Sequence, residues 1–321
     1  MPLERRRRPT GWSDTDIPDL SGRSAIVTGA NSGLGFQVAM QLADHGASVV
    51  MACRSTVKGA AAAALIAEAS PLAAVEVMAL DLGDLSSVRR FADSYHNAHD
   101  GVDLLINNAG VMAIPKMVTT NGFETQFGTN YLGHFALTGL LLPGLLARPG
   151  ARVVTVSSLV ALIGRIHFDD LQGDATYHRW LAYAQSKLAN LLFAFELARR
   201  VSVADLDLVS VAAHPGSAAT NLQTTSAAHR GSRLAMQVAV VGTRSFQSAG
   251  QGALPLLYAA TAPGVRGGEY LGPSQQFGLR GAPTRVRPPR AGRDAETARR
   301  LWQVSEQLTD VHFRRLHLPV R

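Results

Sequence analysis

The sequence predicts a single-domain α/β protein built on a doubly wound parallel sheet, and three observations carry that expectation. Short runs that are almost continuously apolar or β-branched alternate with helical stretches along most of the chain, as parallel strands covered on both faces do. The first such run ends directly in a glycine-rich turn, TGANSGLG, at residues 28–35. The length of 321 residues, with 46% apolar and 17% charged residues, suits one globular domain with an ample core, and no linker divides it into two comparable halves.

Residues 1–20 read as an irregular arm, four arginines balanced by Glu4, Asp14, Asp16 and Asp19. Strands are expected over 24–28 (SAIVT), 48–53 (SVVMAC), 74–80 (AVEVMAL), 102–106 (VDLLI), 152–157 (RVVTVS) and 208–213 (LVSVAA), with a short last one near 268–271. Helical stretches separate them near 34–45, 57–69, 85–98, 122–147, 183–200 and 246–260. This alternation implies right-handed crossovers within one domain over 21–279. Residues 278–293, GLRGAPTRVRPPRAGR, read as a Pro/Gly/Arg loop, and a final helix is expected from an Asp294 N-cap to about Thr309. Residues 280–321 are therefore expected to pack on the same domain.

Charge and cysteine content narrow the function classes. The net charge of +7 is concentrated at the C-terminus, where residues 280–321 carry ten arginines against four carboxylates. A basic tail with few aromatics reads as solvated surface rather than a nucleic-acid site, with salt-sensitive contact to anionic lipid headgroups as the lesser alternative. No apolar run reaches 18 residues; the stretch from Tyr131 is interrupted by His134 and Pro143, and no apolar segment follows the first arginines. One cysteine, Cys53, excludes an internal disulfide and suits a reducing cytoplasm. His96 and His99 lie three apart on a helix with no third ligand nearby in sequence, so no metal is expected.

The chemistry concentrates at strand ends. Gly29, Gly33 and Gly35 let the chain turn tightly and bring backbone N–H groups against a pyrophosphate at a helix N-terminus. The second strand then ends in ACRS, with no carboxylate to bind a ribose 2′-hydroxyl. Arg54, with Lys58 one turn on, suits the 2′-phosphate of NADP instead. In YAQSK, Tyr183 and Lys187 are four residues apart and so share one helix face. An ammonium beside a phenol favours the phenolate, which would make a proton donor and acceptor usable near neutral pH; a plain solvated helix face is the alternative reading. The segment 222–250, rich in Ala, Val, Leu and Met, reads as a lid over an apolar pocket.

With these residues stand DL at 81–82, NNAG at 107–110, Asn130 in GTNYLGHF, VSS at 156–158 and HPG at 214–216. In this order they resemble the short-chain dehydrogenase/reductase family from about residue 20 to 272. The match is nearest the retinol-dehydrogenase-like branch, on ACR, GRIHFDDLQ, AYAQSKLANLLF and RLWQVSEQLTDV. The resemblance implies a Rossmann-type sheet of strand order 3-2-1-4-5-6-7 and oxidoreduction of an alcohol and its carbonyl with NADP(H); the apolar segment 222–250 points to a small lipophilic substrate. It implies Tyr183 as general acid/base and Lys187 as the residue that holds the nicotinamide ribose and lowers the Tyr183 pKa. Ser158 would polarise the substrate carbonyl, and Asn130 would help position a water in a relay to Lys187. The cofactor set it implies is Gly29, Asn31, Ser32, Gly33, Leu34, Gly35, Arg54, Lys58, Asp81, Leu82, Asn107, Ala109, Gly110, Pro215, Gly216 and Thr220, together with Tyr183 and Lys187. Asp81 would contact adenine, Asn107 would line the cleft and brace the sheet, and Thr220 would lie near the carboxamide.

Other readings of these residues remain: Asp81 as a helix cap, Asn107 and Asn108 as turn residues, and Asn130 as a satisfied buried amide. Ser158 and Tyr183 are 25 residues apart, a longer separation than in many members, and the intervening loop is expected to border the substrate entrance. The helices near 122–147 and 183–200 pair subunits in many members, so a homo-oligomer is a further expectation. Two alternatives from other classes are a non-catalytic NADPH-binding sensor or scaffold, and a sugar-nucleotide epimerase. The intact Ser158, Tyr183 and Lys187 set disfavours the first; the glycine spacing and the lack of a large C-terminal substrate domain disfavour the second.

Overall fold

The computed structural model describes residues 11–217 and 247–316. Thr220 and nearly all of the expected lid lie outside the described residues. Among those described, the strands are β1 (Ser24–Thr28), β2 (Ser48–Cys53), β3 (Val75–Ala79), β4 (Leu104–Asn107), β5 (Ala151–Val156), β6 (Leu208–Ala213), β7 (Tyr270–Gln275) and β8 (Arg280–Arg285). They form one sheet in the order β3-β2-β1-β4-β5-β6-β7-β8. All neighbouring pairs run parallel except the last. This is the expected doubly wound order with one strand added at the edge.

That added strand is a correction, because it lies in what reads as a loop. The chain turns at Gln276–Gly278, all three at positive φ, and β8 then pairs antiparallel with β7, Pro273 standing opposite Pro283. Proline cannot donate to a ladder, so a Pro-rich stretch does not look like a strand; at an edge and beside a register shift it is tolerated.

The helices are α1 (Gly33–Asp44), α2 (Thr56–Ala69), α3 (Leu85–Ala98), α4 (Thr125–Phe127), α5 (Gly133–Leu146), α6 (Arg179–Val203), α7 (Ala249–Thr261) and α8 (Ala295–Thr309). Successive strand residues face opposite layers. Ile26, Val50, Leu105 and Val153 pack toward α3, α5, α6 and α8. Val27, Met51, Ile106 and Val154 pack toward α1, α2 and α7. The stretch expected as one helix over 122–147 is broken into α4 and α5 by five π-helical residues, Gly128–Leu132. Such a turn inside a helix is a frequent mark of a functional site, and Asn130 sits in it.

Asp294 caps α8 as expected, its carboxylate accepting from the Glu296 and Thr297 N–H groups. Trp302 of α8 is buried among Phe135, Phe193 and Phe313, and the Arg200 guanidinium lies 4.3 Å from its ring. Residues of the same chain, Trp302 and Phe313, thus pack on α5 at Phe135 and on α6 at Phe193. Of the arm, Ile17 and Leu20 are buried in the core, and Trp12 meets Tyr258 edge-on at 5.3 Å. Among the described residues no helix is long and apolar enough to cross a membrane.

Candidate active site

The strand order reverses between β1 and β4, and a cleft of about 530 Å³ opens there at the carboxyl ends of the strands, where open α/β sheets bind ligands. Its floor is the glycine-rich turn between β1 and α1. Gly29 takes a φ of +65°, and a Cβ on Gly35 would stand 2.5 Å from both the Gly29 carbonyl oxygen and the Asn108 amide. Only glycine leaves this close approach intact, and α1 begins beside it with Ser32 as N-cap. Asn31, Ser32, Gly33 and Leu34 line the same volume.

At the far end, β2 runs into Arg54, Ser55 and Lys58, all on the cleft wall. Ser55 caps α2 by accepting the Lys58 N–H at 3.4 Å. No ion pair involves Arg54 or Lys58 among the described residues. Asp81 and Leu82 also line the cleft. Asp81 is not the cap of α3, since Asp84 fills that place by accepting the Ser86 N–H; Asp81 instead accepts the Gly83 N–H at 2.9 Å.

Asn107 departs from expectation. It does not line the cleft: it is fully buried and donates to Thr138 Oγ1 at 3.0 Å, because alternation along β4 turns it toward α5. Asn108 lines the cleft in its place and donates to the Thr28 carbonyl at 2.8 Å. Ala109 and Gly110 follow on the wall. A Cβ on Gly110 would meet Asn130 Oδ1 at 2.9 Å and Lys187 Nζ at 3.6 Å, so the absent side chain lets those two groups approach the backbone here.

Ser158, Tyr183 and Lys187 meet at the other end of the cleft. The two serines after β5 separate cleanly. Ser157 donates to the Lys187 carbonyl at 2.8 Å, whereas Ser158 caps the short turn Leu159–Ile163 and stands beside the Tyr183 hydroxyl. Tyr183 and Lys187 lie on the buried face of α6, which removes the solvated-face reading. Lys187 Nζ donates to the Val156 carbonyl at 3.1 Å and lies 5.9 Å from the centre of the Tyr183 ring. Burial pushes the Lys187 ammonium down to about 8. Burial also pushes the Tyr183 phenol up to about 12, the Ser158 hydroxyl opposing. The net shift of the Tyr183 phenol in the chain by itself is upward and set by desolvation, while the Lys187 ammonium is turned toward Val156.

Asn130 is fully buried, with its amide engaged on three sides. It accepts the Val111 N–H at 2.7 Å and donates to the Val111 carbonyl and to Ser186 Oγ, each at 2.9 Å. Pro215 and Gly216 close the cleft beside Ser217 and Leu279. His214 is buried behind them, accepting the Gly216 N–H at 3.2 Å and packing on Tyr270.

Sequence reasoning missed the apolar wall formed by Met112, Ile114, Leu159, Val160 and Leu279. Its one legible signal was the apolar VMAI following NNAG, in a stretch with no helical or strand period. Leu159 and Val160 open the long segment between Ser158 and Tyr183, and its later residues brace the Ile114 side of the wall. Tyr177 donates to the Ile114 carbonyl at 2.9 Å, and Lys116 reaches the Gly173 carbonyl and Asp174. Among the described residues no cluster of histidine, cysteine and carboxylates could hold a metal ion.

A glycine-rich turn at the reversal of a doubly wound sheet, with a buried tyrosine and lysine across the cleft, defines a nucleotide-dependent oxidoreductase of the short-chain type. The family profile described as short chain dehydrogenase matches residues 23–231, and the chain belongs to that family, in its retinol-dehydrogenase-like branch. Retinol dehydrogenase 12 of Mus musculus is 39% identical over 296 residues, covering 92% of this chain and 88% of that protein. The crystal structure of an uncharacterized protein from Mycobacterium paratuberculosis shares 46% identity at a TM-score of 0.78, covering 95% of this chain and 99% of that one. A structure described as an NAD(P) dependent gluconate 5-dehydrogenase from Beutenbergia cavernae, with bound NADP, shares 25% identity at a TM-score of 0.60, covering 76% and 91%. The chain is accordingly an enzyme of alcohol and carbonyl oxidoreduction.

Proposed function

We propose that the enzyme uses NADP(H) and interconverts a lipophilic alcohol with its aldehyde or ketone. The observation that carries this reading is one cleft with Arg54 and Lys58 at one end, Ser158, Tyr183 and Lys187 at the other, and an apolar wall beside them. Arg54 and Lys58 would hold the 2′-phosphate, and the turn from Gly29 to Gly35 would hold the pyrophosphate at the start of α1. Asp81 and Leu82 would flank the adenine, and Ala109, Gly110, Pro215 and Gly216 the ribose and nicotinamide. The chemistry supplied by a bound nicotinamide is hydride donation or acceptance at the substrate carbon. A cytoplasmic setting is part of the proposal, supported by a single buried cysteine.

In reduction, Tyr183 donates its phenolic proton to the substrate oxygen while Ser158 hydrogen-bonds that oxygen and fixes its direction. A phenol pushed up to about 12 stays protonated throughout the neutral range, so the acid is always loaded. In oxidation Tyr183 must first lose that proton, and the Lys187 ammonium is the positive charge on hand to stabilise the phenolate. With a pKa of about 8, Lys187 is mostly charged at pH 7. Asn130 holds the backbone at Val111 against α6. The apolar wall excludes water and favours a hydrocarbon substituent on the substrate. In support, a relative carries the name retinol dehydrogenase.

The test is a panel of retinaldehyde, straight-chain aldehydes and aliphatic ketones, followed by loss of NADPH absorbance, with NADH in parallel. The proposal expects turnover with NADPH, rising with chain length. Turnover with NADH alone, or only on short polar carbonyls, would contradict it.

A further inference from the structure

Thr28, His134, Asn130 and Ser186 form one hydrogen-bonded line through the interior, and none of the four has any surface exposed. Thr28 ends β1. Its hydroxyl oxygen accepts the Asn108 and Ala109 N–H groups at 2.9 and 3.0 Å, so it already ties the glycine-rich turn to the strand beside it. The same oxygen lies 2.9 Å from His134 Nε2, closer than its 3.2 Å contact to the Ile106 carbonyl. On the other side of the ring, His134 Nδ1 lies 2.9 Å from the Asn130 carbonyl oxygen. A carbonyl only accepts, so Nδ1 carries the ring proton. Burial pushes His134 down to about 4, with Lys187 adding to the effect and the Asn130 carbonyl opposing it. The ring is therefore neutral, which leaves Nε2 to accept the Thr28 proton.

Beyond Asn130 the line continues into α6. The Asn130 amide donates to Ser186 Oγ, and Ser186 donates to the Tyr183 carbonyl at 2.8 Å. Ser186 lies in the turn between Tyr183 and Lys187. The two halves of the cleft are thus joined through one imidazole. Along α5 the buried neighbours Phe135, Leu137 and Leu141 are apolar, and the buried Thr138 donates to the His134 backbone carbonyl, not to its imidazole. A leucine would fill the volume without the desolvation that a buried imidazole entails.

We propose that His134 is a positioning residue for hydride transfer, setting the glycine-rich turn at a fixed distance from the helix turn that carries Tyr183 and Lys187. The inference rests on the function proposed above. Its chemical content is a specific tautomer and two contacts, each of which can be removed alone.

The first measurement needs neither cofactor nor substrate. In protein labelled with ¹⁵N-histidine, the His134 ring at pH 7 is expected to be neutral with the proton on Nδ1, assigned by its loss in His134→Asn. A proton on Nε2, or an imidazolium, would overturn the proposal. The second measurement is turnover of NADPH with the fastest aldehyde of the panel. His134→Leu is expected to lower kcat by about tenfold to a hundredfold, the scale of a small misplacement of reacting groups, with KM changed by less than about threefold. His134→Gln keeps a side-chain oxygen that can accept the Thr28 proton and is expected to recover at least about half of that loss on a logarithmic scale. A purely structural histidine would lower the melting temperature of both variants and leave kcat at 25 °C unchanged. If His134→Leu does not fold, His134→Gln is compared with His134→Asn, which keeps only the contact to the Asn130 carbonyl. The glutamine variant should be the faster, and an asparagine variant equal to it or faster would overturn the proposal. Tyr183→Phe serves as control in the same assay. Activity in that control would overturn the function reading and this proposal with it. An inactive control beside a His134→Leu protein at the unmodified rate would overturn the His134 proposal alone.

Discussion

The Lys187 ammonium nitrogen lies 5.9 Å from the centre of the Tyr183 ring and donates to the Val156 carbonyl oxygen, not to the phenol. The two groups share one buried helix face, yet burial moves their pKa values in opposite senses, the phenol up to about 12 and the ammonium down to about 8. Desolvation dominates both shifts. The chain by itself therefore presents a protonated acid beside a cation held in a poorly solvating place.

That cation gives a pH signature in the cofactor-free protein. Lys187 titrates near 8 when folded and near the ordinary lysine value of about 10.4 when unfolded. Between those values the unfolded chain binds the extra proton, so stability rises with pH. The gain is fully present above the unfolded value and is lost as pH falls to about 8. Over pH 8–10 the unmodified protein should gain on the order of 2 kcal/mol relative to Lys187→Met. The comparison is made by denaturant titration at each pH. Parallel curves for the two proteins would show that Lys187 is not desolvated.

The buried histidines act in the acid range. His134 and His214 both titrate near 4 in the fold, pushed down mainly by burial. The unfolded chain takes up those protons first, near pH 6.5, so stability should fall as pH falls from about 6.5 toward 4. His134→Leu should flatten part of that slope. An unchanged slope in that variant would contradict the shift assigned to His134.

Arg54 decides between the two cofactors. NADPH should bind more tightly than NADH, and Arg54→Ala should shrink the gap by about tenfold or more, the scale of one charge-assisted contact. Isothermal titration of both cofactors against both proteins measures it. Equal affinities in the unmodified protein would remove Arg54 from the account.

Gly35 tests the cradle. A methyl group there would stand 2.5 Å from the Gly29 carbonyl and the Asn108 amide, so Gly35→Ala must displace the turn. It should cost about 1–3 kcal/mol of stability, the range for overpacking, and weaken NADPH binding by at least about tenfold. A variant that melts and binds like the unmodified protein would show that the turn does not approach β4 so closely.

Much of this architecture was legible because strand and helix periods dominate it. The apolar run SAIVT sends Ile26 to one layer and Val27 to the other, and Asp294 marks the start of α8 as an N-cap. Other parts were not legible for identifiable reasons. β8 is an edge strand containing Pro283, which carries the sequence signature of a loop. Asn107 and Asn108 are indistinguishable by type, and only the alternation along β4 turns the first toward α5 and the second toward the cleft. The opposed pKa shifts of Tyr183 and Lys187 depend on burial and on where the ammonium points, neither of which a spacing of four residues specifies. His134 reads as an interruption in an apolar helix, and its two partners are 106 and 4 residues away in sequence.

The central claim is that Tyr183 transfers the proton. Tyr183→Phe removes one oxygen and leaves the ring in place, so fold and cofactor binding should survive. The direct measurement is paired on that variant: NADPH affinity, and turnover on the best substrate of the panel. The account predicts NADPH affinity within about threefold of the unmodified protein and turnover lowered by at least 10²–10⁴-fold, the range for general acid–base catalysis. A Tyr183→Phe protein that turns over at the unmodified rate would contradict it.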